Sequence, residues 1–346
     1  MKKDKYFADN YLGPVALAAF SIVSLILLFF STAGLGDAAP GQTISNIAHR
    51  FFFVLLGLGV LITARTGSVN FSAAPIGYVL AGILFILNFS LLAGLIVFCI
   101  ILVLGILFAL VNTKGKMPLL LFAPMVHYVC RGIVLILTQG QSIRSENTLI
   151  NFLSKGAIFN INFSLILPWL VCVMVLLLFV FSPLKTSIKE QRQGKKIPFA
   201  WVVSAQIICL ALGLLYALIL SSRVSSFYPS FSDYDHHSDL LILFAFCFCS
   251  QKLDNTIWPI LMVIAGAFFT QNFVASLYLF GFNPVWQSLI MLLLAVGAMF
   301  LNRVYRVKGW YPMSLLNWMA LGGLPALGVG IYQRARGFGW GEWQDL

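Results

Sequence analysis

Runs of roughly 18 or more apolar residues recur from end to end of this chain, each long enough to cross a hydrocarbon layer of ~30 Å as helix. No acidic side chain falls inside any of the long runs. All eleven (Asp4, Asp9, Asp37, Glu146, Glu190, Asp233, Asp235, Asp239, Asp254, Glu342 and Asp345) sit in tails or connecting segments, although 60% of the 346 residues are hydrophobic. A backbone immersed in lipid must satisfy its own polar groups, so runs of this kind fold as helices. The expected fold class is therefore all-α: a polytopic helical membrane protein with about ten transmembrane helices, some of them broken or re-entrant.

With 10% charged residues and 14% aromatics, the chain cannot solvate a globular surface, and the runs leave no room for a soluble domain. The net charge of +11 does not point to nucleic acid, because the basic residues gather in short segments between runs. The first run, Leu12 to Phe30, follows Lys2, Lys3 and Lys5, is long, and lacks a clear small-residue cleavage site; it reads as a retained first helix. Cys99, Cys130, Cys172, Cys209, Cys247 and Cys249 all lie in apolar segments, where a thiol behaves as a small hydrophobe, so neither a disulfide nor a metal site is expected of them.

Placing the N-terminus in the cytoplasm gives spans at 12–31, 47–64, 73–89, 90–112, 118–138, 164–182, 198–220, 239–252, 257–276 and 284–301. Arg65, Lys114, Lys116, the cluster Lys185 to Lys196, Lys252, Arg303, Arg306 and Lys308 then fall on the cytoplasmic side, as the positive-inside rule requires. The external segments are 32–46, 139–163, 221–238 and 277–283. A last apolar stretch, Met313 to Ile331, centres on Gly322-Gly323-Leu324-Pro325, the pattern of a broken or re-entrant segment.

Polar groups inside the spans are the candidates for function. Arg65 to Ser72 interrupts two apolar stretches with glycine, hydroxyl and amide groups, either as part of a solute path or as a short polar cytoplasmic turn. His127 and Arg131 share one helical face with Tyr128 beside them, facing a bundle interior or snorkelling to water. Gln271 and Asn272 interrupt a later span and either line a path or bond between helices. The external Asp233 to Asp239 loop, with His236 and His237, has metal-capable groups but no second cluster to complete a shell, so a solvated acidic loop is its default reading.

An ion-coupled secondary transporter would keep a carboxylate at mid-membrane, and an integral-membrane enzyme would gather His, Asp or Glu at one interface. The spans offer neither. No Gly-x-x-x-x-Gly-Lys-Ser/Thr phosphate cradle occurs, so any ATPase must be another polypeptide. The basic stretch Pro183 to Pro198 can form a short amphipathic helix that docks on such a partner, or can anchor to lipid headgroups.

Three segments resemble the membrane subunit of bacterial ABC importers, in the branch that includes the ribose and galactose permeases. Gly67-Ser68-Val69-Asn70-Phe71-Ser72 is similar to that branch's Gly-Gly-Ile-Asp-Leu-Ser motif, with Asn70 in place of aspartate. Arg131 to Gln141 is similar to its Arg-Gly, apolar, Leu-Thr-x-Gly-Gln pattern, and Phe280 to Gln287 to the Gly-Val-Asn-Pro-Tyr-Trp-Gln stretch that opens its last common helix. The resemblance covers about 45–305 of a single permease domain spanning 1–346, with 310–346 as a C-terminal apolar segment and tail. Ser182 to Ser187 and Ser250 to Asn255 depart from the glycine-rich sequences usual there.

The resemblance implies a multi-pass subunit of the bacterial cytoplasmic (inner) membrane that forms the path for a simple sugar and carries no cofactor and no catalytic residue of its own. It implies three kinds of partner: cytoplasmic ATPase subunits, a second permease subunit, identical or different, and an external solute-binding protein or lipoprotein. Asn70, Ser72, Tyr78, His127, Arg131, Gln271 and Asn272 are the candidates for the path. Lys185, Lys189, Glu190, Arg192, Lys195 and Lys196 are the candidates for ATPase contact. Arg65-Thr66-Gly67 followed by Asn70 also resembles the Arg-Thr/Ser-Gly-x-x-Asn signature of nucleoside permeases in the same superfamily, which makes a nucleoside the alternative solute.

Overall fold

The computed structural model describes residues 51–66, 69–113, 119–145, 147–158, 161–181 and 197–229, with single positions between 260 and 293. The expected spans at 12–31, 239–252, 257–276 and 284–301, Gln271 and Asn272, the Lys185 to Lys196 cluster and the Asp233 to Asp239 loop lie outside the described residues or largely so. The described part is 82% helical.

A 3-10 turn, Phe51–Phe53, leads into α1 (Val54–Arg65). There follow α2 (Ala73–Ile86), α3 (Leu91–Thr113) and α4 (Leu119–Thr138). A two-residue strand β1 (Ile143–Arg144) precedes the short α5 (Thr148–Lys155), the hairpin strands β2 (Ala157–Ile158) and β3 (Ile161–Asn162), and α6 (Phe163–Phe181). The long α7 (Phe199–Arg223) ends at β4 (Ser226–Phe227). Two of these helices, α3 and α7, are long and apolar enough to cross a membrane.

The two differ in what surrounds them. On α3 the residues Leu91, Leu92, Leu95, Phe98 and Val103 are exposed, and only a stripe through Ala93, Val97, Ile101 and Phe108 is buried. Along α7, by contrast, Cys209, Leu210, Ala217, Ile219, Ser221 and Ser222 are wholly buried. The core is thus built around α7, with α1, α2 and α3 packed on it and α4 lying against α2.

Contacts along α7 fix the direction of its neighbours. Phe52 and Phe53, in the 3-10 turn that leads into α1, meet Tyr216 at 5.0 and 6.4 Å between ring centroids, and the Arg223 guanidinium sits 4.4 Å over the Phe52 ring. Gly59, further along α1, lies against Cys209, so α1 runs opposite to α7. Asn70 meets Gln206, Gly77 meets Gly213 and Gly82 meets the Phe227 ring, so α2 runs alongside α7 in the same direction. The α2–α7 crossing is backbone on backbone: a Cβ placed on Gly77 falls 2.2 Å from the Gly213 carbonyl oxygen. Glycine at both positions is what allows the approach.

The far end of the bundle is tied together by polar backbone. A turn at Asn88 and Phe89, both left-handed with φ of 48° and 55°, joins α2 to α3. The Ser145 hydroxyl donates to the Asn88 side chain (3.4 Å) and the Asn147 amide donates to the Asn88 carbonyl (3.3 Å). Asn147 also caps α5 by accepting from the Leu149 N–H at 2.9 Å. β1 pairs antiparallel with β4, Ile143 opposite Phe227 and Arg144 opposite Ser226. The segments that directly follow α2, α4 and α7 therefore meet at one end of the bundle.

Candidate functional site: the break between two short helices

α1 and α2 are short because the sequence between them will not continue a helix. Apolar periodicity stops at Arg65, and Thr66 to Ser72 supplies glycine, hydroxyls and an amide, residues that bond the backbone locally and compete with helix. With 12 and 14 residues, α1 and α2 reach roughly 18 and 21 Å. Neither matches α7, whose 25 residues reach roughly 38 Å.

The described polar residues of the break are buried, and Thr63, Thr66 and Asn70 are hydrogen-bonded within the protein, while the Arg65 Nε is enclosed without a hydrogen bond among the described residues. Thr63, Asn70 and Gln206 are wholly enclosed, and Arg65, Thr66 and Ser72 are at most 4% exposed. The Thr63 hydroxyl donates back to the Gly59 and Val60 carbonyls, both at 3.1 Å, and accepts from the Asn70 N–H at 3.4 Å. The Thr66 hydroxyl donates to the Thr63 carbonyl at 2.8 Å. Asn70 then works in two directions: its Oδ1 accepts from the Ser72 N–H (2.8 Å), and its Nδ2 donates to Gln206 Oε1 (2.7 Å). The first bond satisfies a donor at the start of α2; the second ties the break to α7. The Cys209 thiol lies 3.9 Å from the Asn70 carbonyl oxygen, one turn along α7 from Gln206.

Depth follows from position on α7. Gln206 lies seven residues beyond Phe199, roughly 10 Å from the start of the helix. The break therefore does not lie at the end of α7 but well inside the bundle.

Of the residues singled out in the sequence, Asn70 and Ser72 come together at the break. Tyr78 is buried further along α2 and packs edge-on against Tyr216 at 6.2 Å. His127 is half-buried on α4, its ring 5.6 Å from that of Tyr128, and Arg131 is exposed one turn further on. Two contributors had no advance notice: Gln206 and Thr63. Gln206 is a lone amide in the apolar run 198–220, and that isolation was its only signal. Thr63 looks like any hydroxyl near a helix end.

Among the described residues no group of three or more His, Cys, Asp or Glu side chains could hold a metal. The site offers amides, hydroxyls and a buried guanidinium, all hydrogen-bonding groups. No family model, curated protein or solved structure matches the chain.

Proposed function

We propose that this chain is the membrane-embedded permease subunit of an ATP-driven importer, with a simple sugar as solute and the break between α1 and α2 as part of its path. One observation carries the proposal: irregular backbone at Asn70 to Ser72 lies roughly 10 Å inside the end of α7, enclosed by protein and held by an amide pair. Backbone of this kind persists at membrane depth where protein or a water-filled cavity satisfies it, and discontinuous helices of transporters are built in this way. A simple anchor has no need of it.

In this reading about ten helices cross the bacterial cytoplasmic membrane with the N-terminus inside, and the tied end that holds Asn88, Ser145 and Asn147 faces outward. The spans carry no carboxylate at mid-membrane to couple an ion gradient. Energy then comes from a cytoplasmic ATPase docked at the Lys185 to Lys196 segment, and solute from an external binding protein. A second permease subunit completes the complex.

A nucleoside is the second reading of the solute. Arg65 and Asn70, the two charged or amide members of the nucleoside-permease signature, are both buried at the same break.

The test is reconstitution of the chain alone in liposomes. The proposal predicts no solute flux under a proton or sodium gradient, and flux only when the second permease subunit, the binding protein, the ATPase partner and ATP are added. Uptake by the chain alone under an ion gradient would overturn it.

A further inference from the structure

We propose that Gln206 is a positioning residue for the path: its bond to Asn70 is a latch that keeps the break closed against α7, while the Gly77–Gly213 crossing is the pivot beside it. The path assignment rests on the permease reading; the latch rests on the geometry of the break itself. Asn70 and Gln206 are 136 residues apart in sequence and bonded at 2.7 Å with both side chains wholly enclosed. The crossing lies seven residues further along α7, where the Gly213 backbone meets both Ala73 and Gly77.

The two contacts respond differently to a small change. At the crossing, backbone meets backbone in glycine-sized space, and nothing there can rotate aside. At the latch, two flexible amides meet, and either can turn away if a competing donor or acceptor arrives. Removing the Gln206 amide takes the acceptor of the Asn70 Nδ2 away inside an enclosed site, and an enclosed donor that loses its acceptor draws in water or swings toward it. The segment 69–72 then leaves α7 and α2 stays in place on its glycines.

Cys209 reports the event. Its side chain is wholly enclosed and its sulfur lies 3.9 Å from the Asn70 carbonyl oxygen, directly under the segment the latch holds. A thiol reacts with a water-soluble maleimide only as thiolate in contact with water, so its alkylation rate measures opening of the break.

The experiment uses the full chain in native membranes with Cys99, Cys130, Cys172, Cys247 and Cys249 replaced by alanine. With Gln206 present, Cys209 is expected to resist the maleimide. Gln206→Leu, which keeps the bulk and removes the amide, is expected to raise the labelling rate about tenfold or more. The exchange Asn70→Gln with Gln206→Asn, which restores an amide pair of the same total length, is expected to return protection. Equal protection of Cys209 in the Gln206→Leu chain overturns the latch. A parallel chain that retains only Cys172, buried in α6, reports whether the fold survives. If Cys172 also becomes reactive in Gln206→Leu, the exchange variant decides: protection restored supports the latch, and continued labelling overturns it. Labelling needs neither solute nor ATPase, so uptake in the same chains separates the two claims. An opened break with unchanged uptake overturns the positioning role of Gln206 in the path and leaves only the latch.

Discussion

Gly77→Ala should disrupt the close backbone crossing of α2 and α7. The new Cβ would lie 2.2 Å from the Gly213 oxygen, 2.4 Å from its carbonyl carbon and 2.9 Å from the Leu214 nitrogen, all of them α7 backbone. Ordinary contact begins near 3.4 Å, so α2 must withdraw by roughly 1.2 Å at this point. A gap of that size forfeits about half or more of the dispersion attraction along the contact. Overpacking a well-packed site costs about 1–3 kcal/mol, and backbone on both sides places this one toward the upper end. The gain in helix propensity from Gly to Ala, about 1 kcal/mol in a helix interior, opposes the loss. Controls remove that term: Gly94 and Gly132 are also helical, and a Cβ on either meets nothing within 4 Å. Gly77→Ala should therefore be less stable than Gly94→Ala or Gly132→Ala by about 2–3 kcal/mol, the overpacking cost alone. Graded SDS unfolding of the purified chain in detergent, followed by tryptophan fluorescence, measures the difference. If Gly77→Ala is as stable as the two controls, the α2–α7 crossing is not where the structure places it.

Other perturbations have defined outcomes. Asn70→Leu leaves both the Ser72 N–H and the Gln206 amide enclosed without this partner, and each such loss costs about 1–3 kcal/mol. Adding Gln206→Leu should cost less than the sum of the two single changes, by roughly 0.5–3 kcal/mol in an unfolding double-mutant cycle; strict additivity would show that the two amides do not interact. Asn147→Ala removes the cap of α5 and a donor to the Asn88 carbonyl, so it should lower stability by about 1 kcal/mol in the same titration, and an unchanged midpoint would contradict the cap. Replacing Lys185, Lys189, Arg192, Lys195 and Lys196 by glutamine should release the ATPase partner in pull-downs at physiological salt. Undiminished capture would place the docking surface elsewhere.

Helix positions were legible in the sequence because lipid-length apolar runs admit little else. The run expected at 90–112 is the helix Leu91–Thr113, that at 198–220 is Phe199–Arg223, and that at 118–138 is Leu119–Thr138. The break was legible for the same reason in reverse, since Gly67 to Ser72 interrupts apolar pattern with residues that favour local backbone bonds. The burial of Asn70 and Ser72 was not legible, because burial depends on which helix lies alongside. Pairings across the bundle were hidden for that reason too. Gln206 reads as one amide in an apolar run until Asn70 is placed against it, and Gly77 and Gly213 are two glycines among 28 until their backbones touch. Arg131 illustrates the converse: its spacing from His127 defines a face, but only the packing of α4 on α2 decides that Arg131 is exposed and His127 half-buried.

The central claim is that another polypeptide powers solute movement through this chain. Its most direct test is the ATPase activity of the complex recovered when the chain is affinity-purified from its native membrane. The account predicts an ATPase at about one copy per permease subunit, stimulated by a binding protein loaded with a sugar or a nucleoside. A chain recovered without any ATPase, yet able to move solute in liposomes under an ion gradient, would contradict it.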